Sequence, residues 1–146
     1  MNRFQKGFTL VESLLVLSMF MIISSITVFT LQPQHFVLED EAFISQLRSD
    51  LLYTQQYAIS HQYEVSIVVR PDQYKYYIIG KANRPPIVER NYSTNITITE
   101  GSIPLYFKFL PDGKVNKFGS FFIQTKKKKY RVTLLIGEGR FYVTEQ

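Results

Sequence analysis

The sequence predicts an α+β protein: a long N-terminal helix, transmembrane in its first half and amphipathic in its second, packed on an antiparallel β head. Three observations carry this. Residues 14–31 are a dense apolar run, and about 20 such residues suffice to cross a bilayer as a helix. Beyond it Ile44, Leu47, Leu51, Thr54 and Ala58 step by three and four, the spacing that lines up one buried helix face. From Tyr63 onward the apolar period becomes two and turn residues recur, which reads as short strands.

From Ser13 to Leu38 no residue carries a formal charge with His35 neutral; Arg3 and Lys6 precede this stretch, and Glu39, Asp40 and Glu41 follow it. The positive-inside rule keeps the N-terminus in the cytoplasm and sends the chain beyond about residue 36 outside. A cleaved secretory signal is the competing reading, with Ser25-Ile26-Thr27 as a weak small-x-small site. Against it, apolar character continues through Val28, Phe29 and Leu31, and an acidic residue opens the run. Nor is there any cysteine to accept a lipid. The helix is therefore expected to stay as an anchor.

That acidic residue, Glu12, is costly. A carboxylate near the middle of a membrane helix costs roughly 2.5–3.5 kcal/mol on insertion scales. One reading is a side chain that snorkels to the interface near the helix start. A second comes from the surrounding residues. Lys6-Gly7-Phe8-Thr9-Leu10-Val11-Glu12 with its apolar continuation resembles the leader motif of type IV prepilins and pseudopilins. The resemblance implies a membrane peptidase that cuts between Gly7 and Phe8 and N-methylates Phe8. It also implies a new positive amine on Phe8, paired in an apolar filament core with Glu12 of a neighbouring subunit. Opposite charges about 4 Å apart attract by roughly 4 kcal/mol at an effective dielectric near 20. Stranding one such buried charge costs about 3–5 kcal/mol.

The expected divisions are a leader (1–7), a transmembrane and filament-core helix (8–36), an amphipathic helix of the head (37–61) and a β head (62–146). Pro33 predicts a kink or brief unwinding near Phe29–Gln34, with helix resuming at the acidic trio and ending around His61. Tyr63–Arg70, an Arg70-Pro71-Asp72 turn and Tyr74–Gly80 form a hairpin. Short strands follow near Ile87–Arg90, Asn95–Glu100 and Leu105–Phe109, the last running into a Pro111-Asp112-Gly113 turn. Phe118–Thr125, Tyr130–Ile136 and Arg140–Thr144 complete a meander, with turns at Lys126–Lys129 and Gly137-Glu138-Gly139.

Helix followed by strands, with Gln46-Leu47-Arg48-Ser49-Asp50-Leu51, Ala58-Ile59 and the later words PDGKV and GEGRF, is similar to the minor pseudopilins of Gram-positive competence systems. It is also similar to those of type II secretion. The resemblance implies a subunit that initiates or caps a pseudopilus used for DNA uptake, or else serves a secretion system. Its implied partners are other major and minor pseudopilins, the prepilin peptidase and a membrane platform protein. Its implied location is the cytoplasmic membrane before assembly and the cell surface after it.

No enzymatic constellation is expected, and no cofactor. His35 and His61 lack ligand spacing to each other, and Gly137-Glu138-Gly139 precedes a strand rather than a helix, so it reads as a hairpin turn. With no cysteine there is no disulfide, thiolate nucleophile or Cys-based zinc site. Net charge is +5, and leader removal takes two basic residues, leaving +3 before the termini are counted. The conspicuous run is Lys126-Lys127-Lys128-Lys129. It reads either as a solvated hairpin tip that deters edge pairing or, with Arg131, as a phosphate-binding patch for DNA. Lys114, Lys117 and Arg140, together with Tyr or Phe stacking platforms, are the candidates to extend such a patch.

Overall fold

The computed structural model describes residues 9–137 and 139–146, with side chains described outside 28–38. The chain forms two units, residues 1–38 and 39–146. Helix α1 spans Leu10–His61, without the brief unwinding that is one of the two outcomes, kink or unwinding, that the sequence predicts near Pro33. A proline removes a single donor, a loss that the neighbouring turns of a long helix can carry.

In the first unit, Leu10–Thr27 is long and apolar enough to cross a membrane, and none of it is buried inside the protein. Side-chain hydroxyls in this stretch find backbone partners. Ser13, Ser18 and Thr27 donate to the carbonyls of Thr9, Leu15 and Ile23 at 3.3, 2.8 and 2.9 Å. Such bonds remove donors that lipid could not satisfy.

The second unit holds the predicted stripe, with Leu47, Leu51, Thr54 and Ala58 buried and Ile44 partly so. Phe43, Asp40 and Asp50 join it. The helix closes at His61, and Gln62 takes a left-handed conformation with φ 56°, a common way to end one. Among the described residues eight strands follow: β1 (Val65–Arg70), β2 (Lys75–Ile79), β3 (Val88–Asn91), β4 (Thr97–Thr99), β5 (Tyr106–Phe109), β6 (Gly119–Gln124), β7 (Lys129–Leu134) and β8 (Phe141–Glu145).

These strands form two antiparallel sheets in the orders β3-β2-β1-β5 and β4-β6-β7-β8. The expected meander is β6-β7-β8. The chain alternates sheets from β3 onward: β4 pairs with β6, and β5 returns to β1. The sheets share one core with the helix. Phe107 of β5 lies 6.1 Å, centroid to centroid, from Phe121 of β6, and Phe43 lies 6.4 Å from Tyr76 of β2. On the far side of the helix, the Gln55 amide donates to the carbonyls of Gly113 (2.8 Å) and Gly139 (3.4 Å). Gly139 has φ 65°, and a Cβ there would collide with the Gly113 carbonyl, so only glycine lets the two turns meet.

Leu51 is 1% exposed at the centre of this core. Leu51→Ala is expected to destabilise the head by about 2–5 kcal/mol, measured by denaturant unfolding of the full chain in detergent.

Candidate functional site

Gly7 and Phe8, the residues of the expected cut, lie outside the described residues. The described chain begins beside them. Thr9 precedes the first helical residue, and its Oγ1 accepts the Glu12 backbone N–H at 3.3 Å. Thr9-Leu10-Val11-Glu12 thus has the spacing of a capping box, a local signal that the motif-based reading passed over. The cap places Glu12 in the first turn, where the helix macrodipole favours a carboxylate. Between residues 9 and 27 it is the one formally charged side chain, and it is exposed. A lone carboxylate is therefore held at the positive end of an apolar helix, four residues from the expected new amine.

The lysine run sits where the strands predict it, in the β6–β7 loop, with Gln124 and Lys129 paired at its base. Thr125 builds the turn: its Oγ1 accepts from the N–H groups of Lys127 and Lys128 (3.3 and 3.1 Å), and its own N–H donates to the Lys128 carbonyl. The four lysines divide. Lys128 pairs with Glu145 at 3.0 Å, and that carboxylate raises its pKa. Lys126 and Lys127 are exposed at the tip. Lys129 and Arg131 flank the Phe122 ring at 4.9 and 5.4 Å from its centroid, within cation–π range.

The wider basic candidates are engaged locally. Lys114 pairs with Asp112 at 2.9 Å, and Lys117 lies over the Tyr106 ring at 5.7 Å. Arg140 stands at the start of β8, beside the helix.

Sequence reasoning missed the buried carboxylate that ties α1 to the first sheet. Asp50 accepts from the Tyr76 hydroxyl at 2.6 Å, from Arg90 Nε at 3.1 Å and from Gln46 Nε2 at 2.9 Å. Its signal is positional, since Asp50 falls three residues after Leu47 and so on the buried stripe. Burial and the bond to Asp50 hold the Tyr76 phenol far above its ordinary value of 10.0. Tyr92, also buried, is pushed up to about 12.

Residues 2–28 match the family model described as the prokaryotic N-terminal methylation motif. Over 139 residues the chain is 33% identical to the competence protein ComGD of Bacillus subtilis (strain 168), spanning 95% of this chain and 93% of that one. Among solved structures, the type IV minor pilin FimU of Pseudomonas aeruginosa (strain PAO1) superposes with a TM-score of 0.60 at 19% identity, over 71% of this chain and 91% of that one. The minor pseudopilin EpsH of the Vibrio cholerae type 2 secretion system gives 0.55 at 14% identity, over 73% and 96%. These two likenesses are of fold.

The folded head keeps tyrosine protons that the unfolded chain releases above pH 10. Stability is thus fully present below pH 10 and is lost as pH rises through about 12 for Tyr92, by about 1.4 kcal/mol per pH unit for each proton. Tyr92→Phe is expected to flatten this alkaline decline, read from urea melts between pH 9 and 12.

Proposed function

The chain belongs to the family of the competence protein ComGD, and we propose from that premise that it is a minor pseudopilin of a competence pseudopilus. In this reading a prepilin peptidase cuts between Gly7 and Phe8 and methylates Phe8. The anchored subunit waits in the cytoplasmic membrane with its head outside. It then enters a filament that serves DNA uptake, helping to initiate or cap it with other pseudopilins on a membrane platform. The single observation that carries the reading is Glu12, a lone carboxylate in the first turn of an otherwise uncharged apolar helix.

The chemistry is charge neutralisation. Cleavage makes a cation on Phe8, and a neighbour's Glu12 supplies the anion. Each is expensive alone in an apolar bundle and tolerable as a pair, so axial stagger between subunits is selected by electrostatics rather than by packing alone. Expected is a mature N-terminus of N-methyl-Phe8 by mass spectrometry; an intact Met1 or a cut after residue 27 overturns the reading. Glu12→Ala should leave processing intact and sharply reduce incorporation into filaments, scored by shearing and immunoblot, while normal incorporation argues against the pairing.

A second reading has its own observation: Lys129 and Arg131 flank an outward-facing Phe122 on the second sheet. A cation–aromatic–cation row suits a phosphate backbone with a base stacked on the ring. In this DNA-contact reading Lys126 and Lys127 at the tip add charge, and Lys128 contributes less because Glu145 already holds it. With only Lys129 and Arg131 on phosphates of duplex DNA, log K should fall with log salt at a slope of about −1.8. Gel retardation by the full chain in detergent checks this, and no retardation at low salt removes the reading.

A further inference from the structure

The outward faces of the two sheets differ in charge. Alternation along a strand turns every second side chain away from the core. On the first sheet the outward lysines are answered: Lys75 pairs with Glu89 and Lys108 with Glu64, each at 2.8 Å. On the second sheet Phe122 of β6, Lys129 and Arg131 of β7, and Tyr142 of β8 turn outward, alternating with buried or half-buried Phe121, Tyr130 and Val143. Among the described residues this face carries no carboxylate. Glu145, at the end of β8, is held by Lys128 at 3.0 Å, and Glu100, just beyond β4, accepts the Leu105 N–H at 3.3 Å. With the Gln146 amide in the orientation that satisfies both groups, its oxygen accepts from Arg131 Nη2 at 2.8 Å, a neutral partner that leaves the charge uncancelled.

Register spaces these groups across the sheet. Phe122 stands opposite Arg131, and Arg131 opposite Thr144; Tyr142 stands opposite Thr133, one two-residue step along. With strands about 4.8 Å apart and a rise of about 3.3 Å per residue, Phe122 and Tyr142 are about 12 Å apart, with β7 between them. Tyr142 is 52% exposed. On its β4 side Phe122 faces Thr99, which is too short to cover a ring. Two cations without a carboxylate favour a polyanion. Two rings set among them favour flat faces as well, and phosphates joined to flat heterocycles are the chemistry of nucleic acid. The rings also choose its form. In a duplex the bases stack on one another about every 3.4 Å and show their edges in the grooves, whereas a single strand can lay its bases on a protein ring.

We propose that the outward face of the second sheet binds single-stranded nucleic acid in preference to duplex, with bases on Phe122 and Tyr142 and phosphates on Lys129 and Arg131. The inference rests on the DNA-contact reading and deepens it, naming the form of nucleic acid and adding Tyr142 to the surface.

Fluorescence anisotropy with the full chain in neutral detergent tests it, using three labelled probes of equal length: an oligothymidylate, the same backbone without bases, and a duplex. At low salt the oligothymidylate is expected to bind about tenfold or more tightly than either of the others, from stacking on two rings. Tyr142→Ala, at an exposed position, should weaken the oligothymidylate by about fivefold or more and leave the baseless strand as it was. Should the variant fail to fold, the three probes on the unsubstituted chain still decide. A baseless strand bound as tightly as the oligothymidylate overturns the proposal and makes the face a general polyanion surface. A duplex bound as tightly as the single strand overturns it too, while the DNA-contact reading stands; binding of none of the probes removes both.

Discussion

Backbone groups buried away from water must be paired, and in α1 one helix meets that demand in two environments. Over Leu10–Thr27 its hydroxyls bond to its own carbonyls, which suits a medium that offers no partners. Over the second half the same helical ladder frees a stripe of side chains to close a protein core. The remaining structure follows from these demands. A helix satisfied from within needs no sheet to cross a bilayer, and the sheets need the helix only as a wall.

That wall is held by polar anchors set among apolar contacts. Asp50, buried with Tyr76 and reached by Arg90, is directional where the Leu47–Ala58 stripe is not. Hydrophobic burial says that the helix must lie on the sheets. The carboxylate specifies the turn of the helix that meets β2 and β3. On the opposite flank the Gln55 amide does the same for the turns at Gly113 and Gly139. Polar contacts with fixed partners give register, and apolar area gives most of the free energy.

Much of this was legible beforehand because two periods in the sequence are unambiguous. The three-four steps from Ile44 to Ala58 and the alternation in Tyr63–Arg70 each have one reading. Turn chemistry placed Pro71, Gly113 and the lysine loop correctly. Sheet membership was not legible: β4 and β5 are both short alternating segments, and nothing local says that one belongs with β6 and the other with β1. Pairing across sheets is decided by core shape, as where Phe107 meets Phe121. At Pro33 the helix does not unwind, because a single missing donor weakens a helix without ending it. Asp50 escaped notice because an acidic residue on a helix is ordinarily read as solvated. Glu12 was legible as an anomaly, and its relation to the Thr9 cap emerged only when the helix start was located.

The alternation of strands between sheets has a consequence for how long a head outlasts damage. A single backbone cut in the exposed connection at Gly101–Ser102 separates two pieces that do not correspond to the two sheets. The first piece supplies β1, β2 and β3 to one sheet and β4 to the other; the second supplies β5 to the first sheet and β6, β7 and β8 to the second. Neither can leave without tearing a ladder in both layers, so the nicked molecule behaves as a non-covalent whole. For a small domain with no cysteine to staple it, woven strands give the persistence that a disulfide would otherwise provide.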